Sequence, residues 1–306
     1  MQRRTVSLIA GEILDQPRAW ARAIALAEAT ENPFAAGDRV AVIGCGSSWH
    51  TAKAIAVLRE TLGRGETDAF AASEALLERD FDRVVAISRS GTTTEVLSAL
   101  EALAPGVPVT ALVGDPASPL AAAAGQVIDL SFADDRSVVQ SRFVTTVLCL
   151  ARTFLGQDLA PLPARAETVL EEPHPLDPEL IDRAVFLARD WRVGAADAAA
   201  LALRETAQMW AESYPAMEYR HGPIATAGEG AVAWFLDEPP AGLADEIRAT
   251  GATVIEAAGD PLTELIRVQR LAVARAESRG FDPDNPPNLD RAVVLETDGP
   301  ASGGAR

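Results

Sequence analysis

Residues 83–94, which read RVVAISRSGTTT, indicate the fold class of this chain. The first five residues form a short apolar run that is typical of a buried strand. The last seven contain five hydroxyl side chains, one arginine and one glycine, and helical periodicity follows from residue 95 to residue 103. A buried strand, a polar loop and a helix in this order predict one unit of an α/β fold with a parallel sheet.

The same unit recurs along the chain. Residues 39–43 (RVAVI) precede the loop 44–48 (GCGSS), and a helix is predicted from there to about residue 62. Further short strands are predicted at 107–113, 126–130, 231–236 and 253–257, with a weak strand at 191–194, and further helices at 11–29, 117–124, 138–155, 197–213 and 262–279. Helices that alternate with short strands cover both faces of a parallel sheet. The sequence therefore predicts an α/β protein of two tandem lobes, each with three αβα layers.

The predicted domain boundaries lie where the alternation of strands and helices is interrupted. A leading helix occupies 1–35 and the first lobe, with the two polar loops, occupies 36–155. Residues 156–178 are rich in proline and are predicted as a linker. A second lobe, weaker in pattern, spans 179–298, and a disordered tail is expected at 299–306.

The charge and composition exclude several classes of partner. The chain has 306 residues and a formal net charge of −17, which argues against nucleic acid or an anionic membrane as partner. Cys45 and Cys149 suggest neither a disulfide framework nor a metal site. We find no pattern of a membrane helix or signal peptide, so we expect a cytoplasmic protein without cofactor or metal. Lys53 is the only lysine, so a mechanism through a lysine imine has one candidate.

The loop at residues 88–94 suits a phosphate monoester. Helix N-termini present N–H groups and a favourable dipole to an anion, and hydroxyls donate further hydrogen bonds. The alternative is ordinary capping of the following helix, which needs only one serine or threonine. The loop at 44–48 is a weaker signal, since glycines after a strand are common, but both loops are expected at the same edge of the sheet.

These motifs identify a resemblance to the SIS (sugar isomerase) family, and specifically to the isomerase half of glutamine–fructose-6-phosphate aminotransferase. The resemblance covers nearly the whole chain. Beside the two loops, it is carried in order by residues 12–18 (EILDQPR), 134–146 (DDRSVVQSRFVTT), 203–223 (LRETAQMWAESYPAMEYRHGP) and 281–296 (FDPDNPPNLDRAVVLE).

The resemblance implies the roles of individual residues. Glu205 corresponds to the base that moves a proton between C1 and C2 of an open-chain sugar, and His221 to the group that opens the sugar ring, often from the neighbouring subunit of a homodimer. Arg291 is a third catalytic candidate. The expected phosphate-binding residues are Ser47, Ser48, Ser88, Arg89, Ser90 and Thr93, and the expected sugar-binding residues are Cys45, Gly46, Val138 and Asp290. Taken alone, a helical glutamate is more often a solvated charge, and a histidine before Gly-Pro more often belongs to a turn.

Three departures from the family pattern bear on the reaction. The lysine one helical turn before the glutamate is Ala202 here, and the C-terminal lysine that forms an imine with the ketose is Arg291. Arginine stays protonated and does not form that imine, although it suits stabilisation of an enediolate oxygen. The usual glutamine of the phosphate loop is Arg89.

Two classes of function remain open from the sequence. The first is an enzyme acting on a hexose or hexosamine 6-phosphate by aldose–ketose isomerisation, deamination or deglycation. The second is a non-catalytic sugar-phosphate sensor, which the loss of the two lysines favours and the presence of both Glu205 and His221 opposes.

Overall fold

The computed structural model describes residues 6–257 and 259–295. After two helices, α1 (Leu8–Leu14) and α2 (Gln16–Ala29), the chain forms a five-stranded parallel sheet in the order β2-β1-β3-β4-β5. Its strands are β1 (Val40–Gly44), β2 (Thr67–Ala71), β3 (Arg83–Ser88), β4 (Val109–Val113) and β5 (Gln126–Asp129). The helices of this lobe are α3 (Ser47–Thr61), α4 (Thr94–Glu101), α5 (Pro119–Ala123) and α6 (Arg142–Phe154).

The central strands of this sheet are covered on both faces, which explains their continuous apolar runs. Every residue of β1 is buried, and alternate side chains enter two different clusters. Val40 and Val42 pack with α3 and α6, whereas Ala41 and Ile43 pack on the opposite face. The two clusters make the three layers that the sequence predicts for this lobe.

A second parallel sheet follows, in the order β7-β6-β8-β9, after helix α7 (Leu162–Glu171). Its strands are β6 (Arg183–Ala188), β7 (Trp210–Pro215), β8 (Ala231–Phe235) and β9 (Thr253–Ile255), and its helices are α8 (Arg192–Ala207), α9 (Leu243–Arg248) and α10 (Pro261–Ser278). In chain order, this arrangement repeats the order of the first four strands of the first sheet. The prediction of two parallel sheets is therefore confirmed.

Several elements differ from the sequence prediction. The strand predicted at 191–194 is wrong, because these residues begin α8 and the opening strand is β6. The helix predicted at 197–213 ends at Ala207, where Gln208 adopts a left-handed conformation (φ 50°), and 210–215 form β7. Strand β2 was not predicted, because it is a half-buried edge strand without an apolar run. The proposed linker, 156–178, contains α7, and the tail predicted at 299–306 lies outside the described residues.

Helices α3 and α8 join the two sheets. Gly194 on α8 lies so close to α3 that a Cβ at this position would be 2.5 Å from the carbonyl oxygen of His50 and 2.6 Å from the amide nitrogen of Ala54. This close approach holds α8 beside the loop that precedes α3. The C-terminal half of α8, which carries Glu205, therefore reaches the edge of the first sheet where the polar loops lie.

Candidate active site

The two polar loops lie side by side at the carboxyl edge of the first sheet, because they follow the paired strands β1 and β3. Gly44 ends β1 where α3 crosses over it, and a Cβ there would be 2.8 Å from the Cβ of Ser48. Gly91 has φ 64°, and a Cβ there would overlap the Ser118 hydroxyl at 2.0 Å. Glycine is therefore required in both loops for steric reasons.

The serine hydroxyls of the β3 loop are buried and ordered by the backbone. Ser88 Oγ accepts a hydrogen bond from the amide of Gly91 at 3.1 Å, and Ser90 Oγ accepts one from the amide of Thr92 at 3.2 Å. Because each hydroxyl accepts in these bonds, its own hydrogen remains able to donate to an anion.

A cavity of about 160 Å³ opens above these loops, roughly ten times the volume that a single water needs. Every predicted site residue except His221 lines it, namely Cys45, Gly46, Ser47, Ser48, Ser88, Arg89, Ser90, Thr93, Val138, Glu205, Asp290 and Arg291. Its walls thus combine both polar loops, the end of α8 and the C-terminal segment of the described chain.

Glu205, on α8, is one of two carboxylates from the second lobe that line this cavity; the other is Asp290. Burial raises the pKa of Glu205 to about 7, and the positive charges of Arg89 and Arg204 oppose part of that rise. Among the described residues, its carboxylate has no hydrogen-bond partner. A carboxylate with a pKa near neutrality is suited to accept and return a proton at physiological pH.

Arg89 lines the cavity but is only 2% exposed. Its Nη1 donates to the carbonyls of Ser137 and Val138 at 2.9 and 3.0 Å, and its Nη2 donates to the carbonyl of Arg291. Both terminal nitrogens therefore contact backbone carbonyls, whereas Nε is buried without a hydrogen-bond partner among the described residues.

Arg291 lines the cavity with its charge already paired. Its Nη2 lies 2.5 Å from Asp134 Oδ1, and its Nε donates to the carbonyl of Asp135 at 3.2 Å. Asp134 in turn has its pKa raised by burial, and the positive charge of Arg291 opposes that rise.

His221 is the predicted site residue that does not line the cavity. It ends the 3-10 helix Ala216–His221 and is exposed. The 15 residues between Glu205 and His221 run through β7 and this 3-10 helix, so His221 does not line the cavity that Glu205 lines in the same chain.

The structure adds cavity residues that sequence reasoning did not name. Gln140 lies in the segment 134–146, which the resemblance had marked, and its Oε1 is buried without a hydrogen-bond partner among the described residues. The others are apolar: Ile87, Leu289, Ala292 and Val293. All of them adjoin predicted site residues in sequence, since Ile87 precedes Ser88, Gln140 lies in 134–146, and the rest lie in 281–296.

The only lysine of the chain is not in this cavity. Lys53 on α3 forms an ion pair with Asp197 on α8, and its Nζ lies 4.4 Å from the centre of the Trp49 ring. Burial and the charge of Lys53 also lower the pKa of the adjacent His50 to about 4. The cavity therefore contains no lysine amine for an imine.

Cys45 also has little nucleophilic character. Burial raises the pKa of its thiol to about 11, so the thiolate is scarce at neutral pH. Within 6–257 and 259–295, no group of three His, Cys, Asp or Glu side chains is placed to bind a metal ion. In the same ranges, no helix combines the length and apolar character needed to cross a bilayer.

Comparison with known proteins supports the assignment of this region. The family model of the SIS domain matches residues 34–153. A glutamine–fructose-6-phosphate aminotransferase (isomerizing) of Pyrobaculum aerophilum is 29% identical over 93% of this chain and 57% of its own length. This chain therefore spans little more than half of that relative.

Two crystal structures show the same architecture over nearly the full chain. A glucosamine-6-phosphate deaminase of Thermotoga maritima is 25% identical, with a TM-score of 0.80 over 94% of this chain and 100% of its own. A tagatose-6-phosphate ketose/aldose isomerase of Escherichia coli is 17% identical, with a TM-score of 0.79 over 96% of this chain and 97% of its own, and shows the fold alone. Residues 34–153 of this protein therefore match the SIS domain, and the chain is similar to the isomerizing aminotransferase and shares its fold with these sugar-phosphate enzymes.

Proposed function

We propose that this protein is a phosphosugar isomerase-type enzyme that acts on a hexose or hexosamine 6-phosphate by proton transfer between C1 and C2. The observation that carries the proposal is the position of Glu205, a partly buried carboxylate, in the same cavity as the hydroxyl-rich loops of the SIS domain. An anion site and a base with a pKa near 7 in one cavity are what such a reaction needs.

The phosphate group is assigned to the carboxyl edge of the first sheet. There the N-terminus of the fifteen-residue helix α3 adds a favourable dipole to the donor hydroxyls. Because these donors act only at short range, the site can bind an anion although the chain has a net charge of −17. The hydroxyls assigned to the phosphate are those of Ser47, Ser48, Ser88, Ser90 and Thr93. Cys45, Gly46, Val138 and Asp290 line the part of the cavity assigned to the sugar.

Glu205 is assigned the role of base. Its carboxylate takes the proton from C2 of an open-chain aldose phosphate, and the electron pair moves through C1 to the carbonyl oxygen to form an enediolate. The proton of the C2 hydroxyl then moves to that oxygen, and Glu205 returns its proton to C1 as the C2 carbonyl forms. On a hexosamine phosphate the same transfer yields a ketose imine, and one water molecule then releases ammonia and ketose phosphate. Arg291 lies at the cavity wall, where its guanidinium is assigned to the oxygen that becomes negative.

The proposal does not include amino-group transfer through a lysine imine, because the cavity contains no lysine. Lys53 is paired with Asp197 away from the cavity, and arginine does not form imines under ordinary conditions. Isomerisation, deamination and deglycation all remain compatible with Glu205 as base. We place deamination first, because the deaminase of Thermotoga maritima is 25% identical to this chain, whereas the tagatose-6-phosphate isomerase is 17% identical and shows the fold alone.

His221 is assigned to a homodimer. It is exposed and outside the cavity of its own chain. We propose that His221 of the partner subunit completes the site and assists ring opening. We also propose that residues 179–298 are a second, degenerate SIS lobe, since the strand order β7-β6-β8-β9 repeats that of the first sheet.

The test is incubation of the purified protein with glucosamine 6-phosphate and galactosamine 6-phosphate, with ammonia and ketose phosphate as products. Glu205→Gln is the matched variant, because it keeps the shape and removes the base. Ammonia release that disappears in Glu205→Gln supports the enzyme. Binding of these phosphates by calorimetry without turnover in the wild type supports either a deglycase that acts on an untested adduct or the sensor, and the absence of both family lysines favours the sensor.

A further inference from the structure

The side chain of Arg89 connects three parts of the chain that meet at the cavity. We infer that Arg89 is a positioning residue, whose guanidinium holds the loop 134–141 and the C-terminal segment 281–295 over the cavity instead of binding the phosphate group. This inference deepens the proposed function and rests on it for the identity of the ligand.

The hydrogen bonds of Arg89 are all to backbone carbonyls. Nη1 donates to Ser137 and Val138, from the loop 134–141, and Nη2 donates to Arg291, from the segment 281–295. The acceptors are separated by about 150 residues in sequence, so no local structure brings them together. A guanidinium has a planar array of donors that can serve several carbonyls at once.

The two segments that Arg89 joins form part of the cavity wall. Val138 and Gln140 come from the first segment, and residues 289–293 come from the second. The second segment has mostly exposed side chains and contains no helix or strand, so its position depends on contacts with the rest of the protein. Loss of the central buried contact is therefore expected to loosen it.

The C-terminal segment has further contacts: Arg291 pairs with Asp134 of the loop 134–141, and the carboxylate of Asp284 accepts from the amides of Leu8 and Ile9 at 2.8 and 2.9 Å. The amide of Val138 donates to the carbonyl of Asp284 at 3.2 Å. The amide of Thr94 donates to the carbonyl of Val293 at 3.2 Å, and Thr94 Oγ1 accepts from the amide of Leu295 at 2.9 Å. Thr94 begins α4 directly after the phosphate loop, so the segment is attached to that loop at two points, one through Arg89 and one through Thr94.

Arg89 also acts on Glu205 through charge. Its positive charge, together with that of Arg204, lowers the pKa of Glu205 against the effect of burial. The charged groups that act on Arg89 itself are Asp135, Arg291, Asp134 and Glu12. Neutralising Arg89 is therefore expected to move the protonation of Glu205 to higher pH, an effect that a purely structural residue would not have.

Two substitutions separate these roles. Arg89→Gln removes the charge and introduces the residue that the similar family carries at this position, so the variant is expected to fold. Arg89→Lys keeps the charge but loses the planar array of donors. Arg248→Gln is the matched control, since Arg248 on α9 pairs with Asp245 and Glu256, and neither it nor its partners line the cavity.

The first measurement is amide hydrogen exchange of each variant without ligand, followed by mass spectrometry of peptides that cover 134–141 and 289–295. We expect at least about tenfold faster exchange in both peptides for both Arg89 variants, and no change for Arg248→Gln. The second measurement is the Kd for inorganic phosphate and for glucosamine 6-phosphate, which we expect to change by less than about threefold. Unchanged exchange, or a tenfold loss of phosphate affinity, overturns the inference.

The third measurement is the pH dependence of turnover. Arg89→Gln is expected to shift the acid limb of kcat/KM to higher pH, whereas Arg89→Lys keeps the wild-type limb; identical limbs in both variants contradict the charge effect. The exchange experiment needs neither substrate nor turnover. If the wild type releases no ammonia, deamination fails as the proposed reaction, while the exchange result still decides the role of Arg89.

Discussion

Arg152 on α6 and Asp260 at the N-cap of α10 form a two-pronged ion pair, with Nη1–Oδ1 and Nη2–Oδ2 distances of 2.7 and 2.6 Å. The same carboxylate accepts a hydrogen bond from the amide of Leu262, so it also caps α10. Arg152 is 5% exposed. This pair therefore links the last helix of the SIS domain to the last helix of the second lobe through one largely buried carboxylate.

We predict that Asp260→Ala lowers the free energy of unfolding by about 3 kcal/mol, because it leaves the Arg152 charge buried without its partner and removes a helix cap. Urea unfolding measures the change. The control is Asp245→Ala, which breaks the exposed pair with Arg248 and should leave the midpoint unchanged. Equal midpoints for the two variants would contradict the structural importance of the buried pair.

Gly194→Ala tests the contact between the two lobes. The added methyl would lie 2.5 Å from a backbone oxygen of α3, so one helix must move, at a cost of about 2 kcal/mol. Because α8 also carries Glu205, we expect turnover to fall together with stability. Gly11→Ala in α1 is the control: its Cβ meets nothing within 4 Å, and it should stabilise the protein by about 0.5 kcal/mol. Thermal unfolding of both variants distinguishes steric conflict from a general intolerance of alanine.

The raised pKa of Glu205 predicts two pH effects. Glu205 must be ionised to act as base, so kcat/KM should rise with pH through about 7. Glu205→Gln should reduce kcat by about 100-fold or more. If kcat/KM does not change between pH 6 and pH 8, which is about one unit on either side of that pKa, the result argues against Glu205 as the base.

The stability effect has the opposite sign. The carboxyl of Glu205 binds its proton more tightly in the folded protein than in the unfolded chain, where the pKa is 4.5. Its contribution to stability is therefore present below pH 4.5 and is lost as the pH rises to about 7. Burial also raises the pKa of Asp135, to about 6. The contribution of Asp135 to stability is therefore also lost as the pH rises, but at a lower pH than that of Glu205. Glu205→Gln should thus unfold at a higher urea concentration than the wild type at pH 8, and a lower midpoint would contradict the raised pKa.

Mixed dimers test whether the active site is shared. Glu205→Gln and His221→Ala are each expected to be nearly inactive alone. If His221 of the partner subunit completes the site, co-refolding equal amounts of the two variants should restore about a quarter of wild-type activity, because half of the dimers then carry one intact site of two. No recovery, in a mixture shown by tagged pull-down to contain mixed dimers, would place both residues in the same chain.

Local sequence was sufficient for the parts of this protein whose contacts are local. The apolar run at 83–87 and the hydroxyl-rich loop after it predicted a parallel strand and an anion site at its end, because parallel strands carry their following loops to one edge of the sheet. The helix with Glu205 followed from periodicity and from its order before His221. The end of that helix did not, because a left-handed Gln208 stops it and β7 is stabilised by pairing with β6.

What the sequence by itself determined was therefore the parallel α/β architecture and the residue types of the cavity floor. Only the tertiary structure decided how the cavity is closed and which charges remain free in it. Arg89 resembles a ligand-binding cation in the sequence, yet its two terminal nitrogens donate to the carbonyls of 137, 138 and 291. His221 lies outside the cavity although its spacing from Glu205 fits the family. The physical reason is that these contacts join segments distant in the chain, and local patterns of hydrophobicity and turn residues carry no information about such pairs.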